Sequence, residues 1–123
     1  MSSKILLLLA FLFSCVLLSL HLFALEYFLY WAVPWFDILL HIIGGISFGF
    51  LLLFIASKTV ENIPWYIPII GTFIAATVWE IFEFQIGLTF VAKNLALDTI
   101  SDVMFSIFGG TIAFIAYRFF RME

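Results

Sequence analysis

Four long apolar runs, separated by short polar or aromatic segments, organise this chain of 123 residues. Each run has the roughly twenty residues that a helix needs to cross a hydrocarbon core about 30 Å thick. We therefore predict four transmembrane helices, spans 1 to 4, over residues 4–24, 35–57, 64–85 and 97–120. The predicted fold class is an all-α integral membrane protein with a single four-helix domain over residues 1–123.

The segments between the runs support these boundaries. Tyr27, Tyr30, Trp31 and Trp35 follow span 1, as is typical of a membrane–water boundary. A polar turn at 58–62 precedes span 3, and a mixed loop at 87–96 precedes span 4. Span 1 could also be read as a cleaved signal peptide. We favour a retained helix, because the apolar run exceeds a usual signal core and no clean cleavage site follows it.

Composition agrees with a membrane protein and narrows its partners. The chain is 66% hydrophobic and 11% charged, whereas soluble domains are nearer half apolar and a quarter charged. The net charge of -3 argues against nucleic acid as a partner. We expect a multi-pass protein of the cell membrane, surrounded by lipid, and leave an oligomer open because four helices enclose little volume.

The basic residues predict the orientation of the chain. Lys4, Lys58, Arg118 and Arg121 fall on one side of the four-helix topology, and only Lys93 falls on the other. Cytoplasmic segments carry the excess of Lys and Arg. Both termini are therefore predicted to be cytoplasmic.

The acidic residues have the opposite distribution, concentrated near the non-cytoplasmic ends of the spans. Asp37 and His41, Glu80 and Glu83, and Asp98 and Asp102 are three pairs with helical spacing, so each pair lies on one face of its helix. Carboxyl groups inside a membrane are costly and by default functional. Several of them close together must share protons, stay hydrated or bind a cation.

A divalent metal ion would relieve this conflict directly. Oxygen-rich ligands suit Mg, Mn or Ca, and with an imidazole Zn or Fe, so the identity stays open. The candidate ligands are Asp37, His41, Glu80, Glu83, Asp98 and Asp102. Asp37 and Asp98 also stand at helix starts, where a carboxylate favours the helix dipole. Glu26 fits an exposed interfacial residue, and His21 a polar group with a local partner.

Small residues follow the polar groups in spans 2 and 4. Asp37-x-x-x-His41-x-x-Gly44-Gly45 and Asp102-x-x-x-Ser106-x-x-Gly109-Gly110 have the same spacing. Small residues let membrane helices approach closely. We predict helix packing at Gly44, Gly45, Ser106, Gly109 and Gly110.

These motifs resemble known small membrane protein families. Asp37-x-x-x-His41-x-x-Gly44, Trp79-Glu80-x-x-Glu83-Phe84 and Asp98-Thr99-x-x-Asp102-x-Met104 together resemble the YjdF-type inner-membrane family. A related order occurs in VanZ-like proteins, but Glu83 stands where that family has Gln, and Ser106 where it has Asn. The resemblance covers about residues 35–113. It implies no biochemical activity, since the YjdF-type family has none assigned.

The function that these features favour is a cation- or metal-binding site near the non-cytoplasmic face, used on a lipid or lipid-linked envelope substrate. If the reaction is hydrolytic, metal-activated water is the expected nucleophile, because no protein nucleophile is evident. Whether the protein is an enzyme stays open. One alternative is a proton- or cation-coupled transporter or channel, although the cytoplasmic half lacks a polar path. The other is a non-catalytic adaptor that binds a basic partner.

Overall fold

A computed structural model describes residues 1–87 and 94–121 as a bundle of helices. Four helices are long and apolar enough to cross a membrane: α1 (Ser3–Glu26), α3 (Phe36–Ala56), α4 (Tyr66–Ile86) and α5 (Leu95–Arg121). They correspond to spans 1 to 4. The predicted all-helical membrane fold with four spanning helices is confirmed.

The aromatic segment after α1 contains one element that the sequence pattern did not predict. Phe28 adopts a left-handed conformation, with φ of 56°, and turns the chain at the end of α1. A single helical turn, α2 (Leu29–Ala32), follows it. Four residues are too few to produce a periodic hydrophobic pattern, which explains why this turn was not visible in the sequence.

Local chemistry explains where α4 and α5 end and begin. Gly87 closes α4 with φ of 72°, a left-handed conformation that glycine adopts without a steric penalty. The Asn94 side chain accepts a hydrogen bond from the backbone N–H of Leu97 at 3.2 Å, as a helix cap does. The helix therefore starts two residues before the predicted boundary. Most of the predicted loop, with Lys93, lies outside the described residues.

The central feature of the bundle is the close crossing of α3 and α5. Added Cβ atoms at Gly45 and Gly109 would overlap the carbonyl oxygens of Ser106 and Ile42, respectively. At Gly110 a Cβ would lie 2.6 Å from Thr72 Oγ1 on α4. These glycines let the helix backbones touch, which is the main source of packing energy within a lipid phase.

Around this pair, α1 packs against α3, and α4 packs against both α3 and α5. Within the described part of the chain, the backbones of α1 and α4 do not approach each other. Large apolar side chains such as Phe11, Val78 and Ile115 point outward and are 62%, 59% and 61% exposed. Exposure of these side chains is favourable against lipid tails and unfavourable in water.

The two ends of the bundle differ in character. At one end the Met1 amino group donates to the Phe120 carbonyl at 3.2 Å, and Lys58 Nζ donates to Ser3 Oγ at 3.5 Å. An apolar cluster fills this half of the bundle and includes Leu6, Phe50, Leu53, Ile63, Ala113 and Tyr117. The basic residues Lys4, Lys58, Arg118 and Arg121 thus share one end, and the acidic pairs lie at the other.

Candidate metal centre

The His41 side chain is the centre of the acidic site. Its Nε2 atom lies 3.8 Å from Asp37 Oδ1, 3.8 Å from Glu80 Oε1 and 3.7 Å from Asp102 Oδ2. These separations exceed those of an N–H···O hydrogen bond. Three carboxylate oxygens from three helices therefore surround one imidazole nitrogen, with space between them.

Helical geometry places these groups at one depth. His41 is five residues into α3, Asp102 seven residues into α5, and Glu80 six residues before the end of α4. At about 1.5 Å per residue, all three lie roughly 8–10 Å inside the helix ends. The side chains of His41, Glu80 and Asp102 are 9%, 9% and 5% exposed, and that of Asp37 is 38% exposed. The site therefore has a buried interior and one more open edge at Asp37.

The other imidazole nitrogen has its own partner. His41 Nδ1 lies 3.3 Å from Ser106 Oγ on α5. With Nδ1 protonated, the ring donates to the Ser106 hydroxyl and leaves the Nε2 lone pair facing the carboxylates. The sequence pattern marked Ser106 for helix packing. The structure adds a contact that orients the imidazole, as groups behind a metal ligand do.

Two overlapping sets of potential ligand atoms share His41. Asp37, His41 and Asp102 form one set, and His41, Glu80 and Glu83 the other, with the atoms of each set within 4.8 Å of one another. Asp98 is in neither set, although it lies in the first turn of the same helix as Asp102. The structure thus brings together five of the six candidate ligands and leaves Asp98 outside both sets.

One carboxylate oxygen of Glu80, Oε1, is buried without a hydrogen-bond partner among the residues that the structure describes. An orphaned, buried carboxylate oxygen is strongly unfavourable unless a proton or a cation completes it. The described Lys and Arg residues all lie at the opposite end of the bundle, so none of them can supply the charge.

Tyr30 is a site neighbour that sequence reasoning missed. Its hydroxyl is hydrogen-bonded to His21 Nδ1, which gives His21 the local partner that we expected of it. Burial, together with the Asp37 and Glu83 carboxylates nearby, raises the pKa of the Tyr30 phenol above its usual value. The phenol therefore stays protonated. The aromatic segment suggested only an interfacial belt, so no sequence signal singled out Tyr30.

A cavity of about 360 Å³ adjoins the carboxylates. Its polar end is lined by His21, Tyr30, Asp37, His41 and Glu83. Its deeper part is lined largely by apolar and small side chains, among them Leu17, Gly44, Phe48, Ala75 and Ala76. Thr72 Oγ1 lies at this depth and is buried without a hydrogen-bond partner in the described ranges.

Gly44 contributes to this cavity and lies apart from the helix crossing. A Cβ at Gly44 would meet only Leu17 Cδ2, at an ordinary contact distance of 3.6 Å. The adjacent Gly45 faces the α5 backbone directly. Of the small residues predicted to pack helices, Gly45, Ser106, Gly109 and Gly110 lie at helix contacts, and Gly44 lies at the cavity wall.

Comparison with known proteins places the chain in a family defined by its membrane character. Neither the curated proteins nor the solved structures contain a significant match. A family model described as "predicted membrane protein (DUF2238)" matches residues 4–123, almost the entire chain. YjdF-type proteins are members of that family, so the match is consistent with the resemblance in the sequence motifs, whereas it does not support the VanZ-like one. The chain therefore belongs to the DUF2238 family of predicted membrane proteins.

Proposed function

We propose that this protein binds a divalent metal ion beside His41 and uses it on a lipid or lipid-linked substrate at the non-cytoplasmic face of the membrane. One observation carries the proposal. His41 Nε2 has three carboxylate oxygens at 3.7–3.8 Å, and one of them, Glu80 Oε1, is buried without a partner in the described chain. A single divalent cation would satisfy all three oxygens and the imidazole nitrogen at once.

The distances suit an ion at the common edge of the two ligand sets. Ligand atoms bound to one ion at about 2.1 Å lie roughly 3.0–3.4 Å apart in octahedral or tetrahedral geometry. The observed 3.7–3.8 Å separations would need to contract by about half an ångström, which side-chain rotation supplies. Asp37, Glu80 and Asp102 would supply oxygens beside His41 Nε2, and Glu83 would add another from the set that it shares with His41 and Glu80.

The donor set favours particular metals. One imidazole with several carboxylates is a mixed nitrogen and oxygen environment, which suits Mn²⁺, Fe²⁺ or Zn²⁺ better than Mg²⁺ or Ca²⁺. Such an ion supplies Lewis-acid activation of a bound water or substrate oxygen. The Ser106 hydroxyl would hold the imidazole in place, and Asp98 lies outside the two ligand sets in the first turn of α5.

Transport is less well supported than a binding site. A transport pathway would have to cross the half of the bundle where Leu6, Phe50 and Leu53 are packed in the apolar cluster. Among the described residues this half contains no counterpart of the carboxylate site. An adaptor that binds a basic partner through Asp37 and Glu83 would use the same residues without a metal, so metal content separates these functions.

The test is the metal content of the protein purified in mild detergent, measured by elemental mass spectrometry after incubation with Mn²⁺, Zn²⁺, Fe²⁺ or Mg²⁺ and removal of free metal. We expect about one ion per chain in the native protein. Glu80→Gln and Asp102→Asn should lose it, because each replaces a buried ligand by a neutral group of the same shape. Ser106→Ala should lower the affinity about 10-fold, through loss of the imidazole contact.

Two carboxylates serve as matched controls. Glu26 is exposed at the end of α1. The Glu26→Gln variant should therefore bind metal as the native protein does. Asp98→Asn should weaken metal binding less than Glu80→Gln or Asp102→Asn, since Asp98 lies outside both ligand sets but still interacts electrostatically with His41. Equal metal content in native protein, Glu80→Gln and Asp102→Asn would refute the proposed site. If the native protein and both variants contain no metal after incubation with each ion, a proton-sharing carboxylate network would be favoured.

A further inference from the structure

The cavity beside the carboxylates is part of a longer groove on one side of the bundle. Its walls come from α1, with Leu17 and Leu18, and from α4, with Ala75 and Trp79, while α3 forms the floor. Because the backbones of α1 and α4 do not approach each other, the cavity opens between these two helices. In a membrane-spanning bundle, such an opening faces hydrocarbon.

A second cavity, of about 340 Å³, continues this groove toward the opposite end. It shares Ser14, Leu17, Gly44 and Phe48 with the first cavity. It extends along α1 and α3 as far as Leu7 and Leu51. From Asp37 to Leu51, the groove follows about 21 Å of helix at 1.5 Å per residue. That length exceeds one leaflet of a hydrocarbon core about 30 Å thick.

Gly44 keeps the middle of the groove open. It lines both cavities, and a side chain there would project into the space rather than against a helix backbone. Glycine inside a helix is unfavourable relative to alanine. Gly44 is not needed at the α3–α5 crossing. The free space that it leaves in the groove therefore explains why a glycine occupies this position.

The polar end of the groove selects for positive charge. Asp37 and Glu83 line the cavity, whereas Glu80 and Asp102 are not among its lining residues and lie behind His41. Every described Lys and Arg residue lies at the other end of the bundle. Asp37 and Glu83 each have two carboxylate oxygens, so one oxygen of each can bind the ion while the other serves as a hydrogen-bond acceptor in the groove.

We propose that this groove holds one hydrocarbon chain of a membrane lipid whose headgroup carries a primary amine, with the ammonium group beside Asp37 and Glu83. The apolar floor receives the chain, and the carboxylates receive the cation as charge-assisted hydrogen-bond acceptors. Tyr30, hydrogen-bonded to His21, lines the same end of the cavity. The inference rests on the proposed function, because it names the lipid class that would be presented to the metal site.

The test uses purified, delipidated protein incubated with phosphatidylethanolamine, phosphatidylcholine or phosphatidylglycerol, with bound lipid counted by native mass spectrometry. We expect phosphatidylethanolamine to be retained at least about 10-fold better than phosphatidylglycerol. Phosphatidylcholine should bind more weakly than phosphatidylethanolamine, because its quaternary ammonium cannot donate hydrogen bonds. Glu83→Gln should reduce the preference for the amine without abolishing lipid binding.

Gly44→Leu should fill the groove and reduce bound phosphatidylethanolamine at least about 10-fold while metal content stays near one ion per chain. Cys15→Leu is the matched control, since Cys15 is exposed on α1 at similar depth and lines neither cavity. It should bind lipid as the native protein does. Equal lipid retention by Gly44→Leu and native protein, or equal retention of the amine and glycerol lipids, would overturn the inference.

The two proposals can fail separately. Lipid binding that is selective for the amine, in a protein without metal, would support the groove and refute the metal site. Stoichiometric metal in a protein that retains none of the three lipids would do the reverse. Circular dichroism and size exclusion in detergent show whether each variant is folded, and a Gly44→Val variant gives a smaller obstruction if Gly44→Leu does not fold.

Discussion

Two adjacent glycines on α3 should respond in opposite ways to the same added methyl group. Gly45 faces the α5 backbone, where an added Cβ would lie 2.8 Å from the Ser106 carbonyl carbon and closer still to its oxygen. Ordinary van der Waals contact begins at 3.4 Å. The two backbones must therefore separate by at least about 1 Å in Gly45→Ala, since neither can yield as a flexible side chain does.

The loss in the free energy of unfolding caused by Gly45→Ala follows from the packing lost where α3 crosses α5. A gap of about 0.5–1 Å forfeits a quarter to a half of each van der Waals contact. Overpacking of this kind costs about 1–3 kcal/mol, and the near-total rigidity of two crossing backbones places Gly45→Ala near 3 kcal/mol. The better helix propensity of alanine returns about 1 kcal/mol. We expect a net loss of about 2 kcal/mol in the free energy of unfolding.

Gly44→Ala is the internal control for that substitution. Its Cβ would meet only Leu17 Cδ2 at 3.6 Å, so the gain in helix propensity remains, and stability should be unchanged or up to about 1 kcal/mol higher. Both variants are measured by titrating sodium dodecyl sulfate into protein in mild detergent and following helicity. Gly45→Ala should also bind less metal, because separation of α3 and α5 moves Ser106 away from His41. Equal stability of the two variants would show that α3 and α5 do not cross as described.

Two smaller effects follow from individual polar groups. Thr72→Val should raise the free energy of unfolding by about 1 kcal/mol in the same titration. The substitution keeps the side-chain shape and removes a buried hydroxyl that has no partner among the described residues. A loss of stability would mean that the hydroxyl has a partner. The folded protein should hold the Tyr30 proton more tightly than the unfolded chain does, since its pKa is raised by burial and by nearby carboxylates. The free energy of unfolding should therefore fall as the pH rises above the ordinary tyrosine pKa of about 10, and this loss should be smaller in Tyr30→Phe. Identical pH profiles of stability for native protein and Tyr30→Phe would contradict this. Tyrosinate absorbance shows whether Tyr30 is the group that titrates.

Much of the architecture was predictable from the sequence because the bilayer imposes a simple rule. A helix that crosses hydrocarbon must satisfy its backbone internally and present apolar side chains over about twenty residues, so the four spans appear as uninterrupted runs. The polar ends at Asn94 and Gly87 differ from the predicted boundaries by only a few residues. Orientation, with both termini in the cytoplasm, stays a prediction from Lys4, Lys58 and the two arginines of α5.

Candidate ligands could also be chosen from the sequence, because a carboxylate within an apolar run is conspicuous wherever it points. Helical spacing put Asp37 with His41 on one face, and Glu80 with Glu83 on another. Which faces meet depends on side-chain packing between helices, and periodicity within one helix carries no information about its neighbour. Only the tertiary structure could place Asp98 outside the ligand sets, Ser106 beside the imidazole and Tyr30 at the site.

The sequence by itself thus determined that this chain has four helices able to cross a membrane and gathers its acidic residues at one end of the bundle. The tertiary structure decided that His41 is the group that the carboxylates share, and that Gly44 borders a groove while Gly45 borders a helix. The physical reason is the same in each case. Burial preference is a property of a residue and its periodic neighbours, whereas a binding site is a set of distances between helices, and those depend on a few close contacts such as Gly45 against Ser106.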